Sequence, residues 1–211
     1  MKTWATFLDY VQPWVSGASQ PMAEHAIKLA AIEFMQVSRC DRRTLAAVST
    51  VADSSAAITL TLPAATEIVR IESVQFQDGE FLDPLEINIT DTTLVNESGE
   101  PKYYQRDASN SKLIVLPRAD AVYSLVTRVS LKPTLAGTGV DNDNIANRYA
   151  EAIGWGAIHR LLSIPSKPWS DMGAASLYMS KAKMAQQDAL SDADLGDTSA
   201  PQRTRSVFGL R

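Results

Sequence analysis

Two histidines and one cysteine bound the chemistry open to this chain. His25 and His159 fall on separate predicted helices, and either could serve as a general base. Neither stands in an acid–base or metal-ligand motif, so a structural role is the better reading. Cys40 lies among Arg39, Arg42 and Arg43, whose charges would favour its thiolate. It has no His–Asn partner motif, so it reads as a helix-end thiol without a task. With no second cysteine, an internal disulfide and a multi-cysteine zinc site are excluded. Ser109-x-x-Lys112 and Ser180-x-x-Lys183 match the first element of a serine–lysine acyltransferase, but the companion elements are absent. Asp141-x-Asp143 opens like a calcium loop. It then fails at Ile145, Ala146 and Ala152, where that loop needs Asp or Asn, Gly and Glu. Gly137-x-Gly139 lacks the rest of a dinucleotide fingerprint. The expectation is a protein that is not an enzyme and holds no cofactor or metal.

One further group could make contacts rather than reactions. The last residues carry Arg203, Arg205 and Arg211 among Val207, Phe208 and Leu210. They read either as a solvated end or as a peptide that docks on a partner, with arginines as charge contacts and apolar residues as anchors.

These residues sit in a chain of 211 amino acids, 45% hydrophobic and 21% charged, with a net charge of -4. Surface scaling lets about 70% of its unfolded surface be buried, enough for one core or one core with a small annex. An acidic balance argues against a general nucleic-acid coat. The N-terminus lacks the apolar stretch of a signal peptide, and no run approaches the ~18 apolar residues of a membrane span. The sequons at Asn88 and Asn96 therefore read as chance matches. The chain is expected in the cytosol unless a particle carries it out.

Hydrophobic periodicity supplies the elements. Trp4, Phe7, Leu8, Val11 and Val15 recur at helical spacing over 3–16. Pro21 opens a second helix reaching about Arg39, with Ala23, Ala26, Ile27, Ala30, Ala31, Phe34 and Met35 on one face. From about Thr44 the period falls to two. Ile58, Leu60 and Leu62 alternate. Val69 and Ile71 then lose phase with Val74 and Phe76, which predicts a bulge or break near Glu72-Ser73. Residues 85–95 read as a short helix or irregular segment. Leu113 to Leu116 and Tyr123 to Leu131 are further strands, and Pro133 closes the region. A third helix is predicted over about 144–163, capped from Asp141 to Asn144, and a fourth over about 171–190. With no strand–helix alternation, the expected class is mainly α with a β insertion. A four-helix core would comprise 1–43 and 134–195, a β-rich insertion 44–133, and an extended tail 196–211.

Three stretches of this sequence resemble a known family. Pro21-Met22-Ala23-Glu24-His25-Ala26-Ile27-Lys28-Leu29-Ala30-Ala31-Ile32-Glu33-Phe34 is similar to the N-terminal motif of head-to-tail adaptor proteins of short-tailed phages. Gly99-Glu100-Pro101-Lys102-Tyr103-Tyr104 resembles their G-x-P-x-Y-Y strand start. Gly156-Ala157 through Leu161-Leu162 to Pro165-Ser166-Lys167-Pro168-Trp169 resembles their connection into the last helix. The resemblance covers about 1–195 in order.

The resemblance implies a structural virion protein at the head–tail junction, made in the host cytoplasm. It implies a twelve-subunit ring beneath the portal that extends the channel for double-stranded DNA, without sequence-specific binding or any membrane contact. Tail nozzle and tail fibre proteins would attach to it. Arg203, Arg205, Val207, Phe208, Leu210 and Arg211 would then form a tail that docks on the portal. Two other readings stay open from the residues alone. One is a soluble enzyme with an unrecognised site; the other is a monomeric binding module that uses its β region.

Overall fold

The structure is a computed structural model, and it describes residues 1–54, 56–85, 97–107 and 111–196. Strand β1 (Lys2–Thr3) precedes a 3-10 helix over Trp4–Tyr10, and α1 follows over Gln20–Ser38. Strands β2 (Arg42–Thr44), β3 (Val48–Ser49), β4 (Ile58–Thr59), β5 (Thr66–Phe76) and β6 (Phe81–Pro84) come next. The β region continues with β7 (Ser98–Gly99), β8 (Tyr103–Arg106), β9 (Lys112–Leu116), β10 (Arg118–Ala119) and β11 (Ser124–Pro133). Strand β12 (Gly139–Val140) leads into α2 (Asp143–Arg148), α3 (Ala150–Leu162) and α4 (Met172–Asp194).

The expected four-helix core does not form. The protein is 38% helix and 27% strand, and its largest element is a curled mixed sheet. Eight strands build it, in the order β2-β11-β5-β6-β8-β9-β4 with β3 also on β11. Its long ladder is β5 against β11, antiparallel from Leu125↔Phe76 to Pro133↔Thr66. The predicted first helix is only a 3-10 segment. Pro13 and Gly17 close it early, and the Trp4 indole fixes its start by donating to the Gly137 carbonyl at 2.8 Å. Tyr149, at ψ 16°, breaks the predicted third helix into α2 and α3.

Two cores result, each with its own chemistry. The helical core joins Trp4, Phe7 and Val11 to Ala26, Ile27, Ala30 and Phe34 of α1 and to Ile153, Ala157, Ile158 and Leu161 of α3. The sheet core joins Leu60, Ile68, Ile71, Val74, Leu113, Leu125, Val129 and Leu131. The β region is therefore a second folding core rather than an annex. Its strands bury enough branched and aromatic side chains to supply their own apolar drive.

The phase slip near Glu72 resolves as bulging within one strand. Register shifts fall between Arg128 and Val129 and between Ser130 and Leu131, leaving Glu72 and Val69 as extra residues on β5. The strand stays continuous, and the bulge redirects Glu72 towards the helices.

Candidate functional site

The boundary between the two cores is polar, and sequence reading did not find it. Arg39 ends α1 in the left-handed region at φ 50°, an unusual conformation for a side-chain-bearing residue. The turn brings Arg39 and Arg42 to the same carboxylates. Arg39 lies 3.9 Å from Glu72 and 3.5 Å from Asp194. Arg42 lies 3.8 Å from Glu72 and also pairs with Asp194, the last residue of α4, while donating to the Ala193 carbonyl. Ser130 of β11 donates to Glu72. The next residue, Arg43, grips the buried Asp41 through two nitrogens, at 2.9 and 3.0 Å, and Asp141 at 2.7 Å. The Asn142 amide donates to Asp41 at 3.1 Å, while its oxygen accepts from Asn144 and Ile145 and so caps α2. Lys132 adds a third tie, to Glu67 at 2.9 Å and Gln36 at 3.0 Å. These charges fasten α1, α4, β5 and β11 into one body.

The titratable residues singled out in the sequence do not assemble into a reactive site. His25 is exposed on α1. His159 Nδ1 lies 3.0 Å from the Ala175 carbonyl, and its neighbour Ser163 donates to the His159 backbone oxygen at 2.7 Å. Cys40 lacks the thiolate activation that its flanking arginines offered in the sequence and remains a helix-end thiol. Burial pushes its thiol up to about 11; the Ser38 hydrogen bond opposes this and the Asp41 charge adds to it. Arg39 and Arg42 are committed to Glu72 and Asp194, and Arg43 to Asp41 and Asp141, so they do not activate the thiolate. Ser180 donates to the Ser176 carbonyl at 3.1 Å, and Ser109 lies outside the described residues. Asp143, of the candidate calcium loop, lies 2.8 Å from the Met1 amine. Among the described residues no group of three acidic, histidine or cysteine side chains could hold a metal ion. No helix among them is long and apolar enough to cross a membrane.

Surfaces able to make contacts lie on either side of this seam. On the helical side, about 25 Å along α4 from Asp194, Trp14, Trp169, Leu177 and Tyr178 line a depression of about 650 Å³. Trp14 is 63% exposed and meets the Tyr178 ring edge-on at 5.8 Å. Gly17 is required here, because a Cβ would come within 2.6 Å of the Trp169 ring. On the sheet side, three turns share one end of the β5–β11 ladder. Gln77 donates to Ser124 at 3.0 Å, Thr50 to Tyr123 at 2.9 Å, and Asp53 to Ala119 at 2.7 Å. Val51 and Val122 are exposed there, at 68% and 70%, while Phe81, 64% exposed, lines a separate depression with Arg70, Tyr104 and Arg106. Periodicity cannot find such residues, because it reports which face is buried and not which turn projects.

The tail residues Arg203, Arg205, Val207, Phe208, Leu210 and Arg211 lie outside the described residues, as do 86–96, most of the segment read as a short helix or irregular stretch.

The described residues form one body tied together by charges, with exposed apolar side chains such as Trp14 and Val122 on both of its regions. Comparison with known families gives this body its class. The model for a family described as SU10 adaptor protein matches residues 2–205. The chain belongs to this family of phage adaptor proteins, and its role is that of a structural virion component. No curated protein matches the chain.

Proposed function

We propose that the chain is a ring-forming connector at the head–tail junction of a short-tailed phage. Twelve copies close a ring through a heterologous contact, each subunit offering one face to its neighbour's other face. The ring sits beneath the portal, extends the channel for double-stranded DNA, and carries the tail nozzle and fibres. The C-terminal segment, with Arg203, Arg205, Val207, Phe208, Leu210 and Arg211, docks on the portal. The family match over 2–205 is the observation that carries this reading. A net charge of -4 suits a conduit, since a wall that gripped phosphates would slow ejection.

The test compares the full chain with one lacking 197–211, by thermal melting and by co-sedimentation with portal particles. Equal melting with lost co-sedimentation is the expected result, because those residues follow the last helix and add no predicted core face. Equal co-sedimentation moves the portal contact to the helical body. A full-length chain that never sediments with the portal overturns the connector reading.

A further inference from the structure

We propose that the depression beside Trp14 holds this chain's own segment 197–211 until a partner takes that segment away. Only the identity of the displacing partner, the portal, rests on the connector reading. The contact itself follows from the lining of the depression, the reach of the chain and the composition of the segment.

The depression suits apolar side chains. Trp14 and Leu177 stand more than half exposed on its walls, beside the Trp169 and Tyr178 rings. Soluble surfaces carry single exposed apolar residues, but several around one hollow mark a contact. The Trp169 indole N–H is buried and finds no acceptor among the described residues, which calls for one from outside them. Among the described residues, Asp171 is the one charged side chain lining the hollow. Its carboxylate caps α4 by accepting from Ala174 at 3.0 Å, and no cation of the described residues pairs with it.

The chain leaves α4 in a way that lets it return. Gly196, in the left-handed region at φ 66°, donates to the Ala193 carbonyl at 3.2 Å and turns the backbone off the helix axis. Leu177 lies about 25 Å back along α4 from Asp194, and the residues from Asp194 to Phe208 can span at most about 50 Å. Left free, a segment of that length averages about 20 Å end to end. That is close to the span required, so its local concentration at the hollow is near the maximum, on the order of millimolar. Composition divides the segment to match. Residues 197–206 carry no large apolar side chain, whereas Val207, Phe208 and Leu210 follow together. The first part serves as spacer and the second as anchor, with Arg203, Arg205 and Arg211 available to Asp171.

Tethering favours this occupant over a second copy or another protein, which must arrive from dilute solution. Three anchors in an open hollow hold weakly, so the docked form exceeds the open one by about threefold. An excess of that size moves the melting temperature by only about 2 °C, so the full and truncated chains still melt nearly alike. In the connector reading the portal competes for the same anchors, and the depression opens on the chains it has captured.

The experiment uses the full chain, free and dilute, with a photo-reactive phenylalanine analogue at position 208. Illumination should join it, within the same chain, to peptides containing Trp14 or Leu177. Acrylamide quenching of tryptophan is then measured on the unlabelled chain, on one lacking 197–211 and on a Val207→Ser/Phe208→Ser/Leu210→Ser variant. Both altered chains should have their exposed tryptophan quenched about fourfold more readily, because about a quarter of full chains stand open. Equal quenching in all three, or photo-products scattered over the chain, overturns the resting contact and leaves the connector standing. Products between chains that grow with concentration give the depression to a second copy and overturn the contact as well. Adding portal particles separates the two readings. Photo-products that move to the portal support both. Products that stay within chains sedimenting with the portal uphold the resting contact and overturn the tail's part in the connector.

Discussion

The contact between α1 and α3 and the contact between β5 and β11 exclude water by opposite means. Where α1 and α3 come closest the facing residues are small, with Ile27, Phe34, Ile153 and Leu161 packed beside them. A Cβ placed on Gly156 would lie 3.1 Å from the Ala30 Cβ, and one on Gly154 would lie 2.9 Å from the Tyr10 Cβ. Along the strands the buried residues are large and branched: Ile68, Ile71 and Val74 on β5 face the same core as Leu125, Val129 and Leu131 on β11. The helices gain stability from closeness of backbones, whereas the strands gain it from area per side chain. Each region should therefore be weakest to the change the other tolerates.

The largest effect is expected from truncation in the sheet. Leu125→Ala, at a fully buried position, should lower unfolding free energy by about 2–5 kcal/mol in urea melts. A cost below that of an ordinary surface change would show that the sheet closes around the cavity, and the contrast would lose one side. Enlargement in the helical layer comes next. Gly156→Val should cost about 1–3 kcal/mol, although valine replaces a residue that weakens helices, because the branches meet Ala30. A stabilised variant would mean that α1 and α3 can separate freely.

The seam between the regions should respond less. Arg42→Ala removes contacts to Glu72, Asp194 and the Ala193 carbonyl. Glu72 is only 16% exposed but keeps Arg39 and Ser130, and Asp194 is 44% exposed. A loss of about 1–2 kcal/mol is expected, between the value of a surface pair and that of a half-buried charge left alone. The sharper readout is amide exchange. Protection should fall at the end of α4 and around Glu72 while the middle of the sheet keeps its protection. Uniform loss would show that both cores unfold as one unit with no separable seam.

The smallest effect on stability is at Cys40. Its folded pKa of about 11 lies above the ordinary thiol value, so the neutral form is the one folding favours. That contribution is complete below the unfolded pKa and is lost as pH rises from there through about 11. At pH 8 the thiol should alkylate about 100-fold more slowly than a free cysteine, matching a displacement of about two units. Alkylation as fast as a free cysteine would mean the flanking arginines reach the sulfur after all, and Cys40→Ser should leave assembly unchanged.

Much of the helical layer was legible because helical periodicity is local. The stripe from Ala23 to Met35 and the run through Ile153, Ala157 and Leu161 were read from spacing, and all of these residues are buried. The strand around Ile68 to Phe76 betrayed its bulge through a broken alternation. The apolar residues of the first segment were also right: Trp4, Phe7, Leu8, Val11 and Val15 are all buried. The segment's helix type was wrong, since Pro13 and the pairing of β1 with β12 set its path. The weight of the β region was misjudged. Short strands look minor one by one, and only their assembly into a single sheet makes them a core.

By itself, the sequence determined which residues turn inward, where chain direction must change, and that sulfur and imidazole are too sparse for clustered metal chemistry. Those properties follow from side-chain type and from spacing along a few turns. The tertiary structure alone decided that Glu72 and Asp194 would share Arg39 and Arg42, that Asp41 would be buried under Arg43, and that Thr50 would meet Tyr123 beside the exposed Val51 and Val122. These partners are separated by tens of residues in the chain. No local period encodes such meetings; they arise when β5 and β11 pair with their bulges and α4 ends against β2.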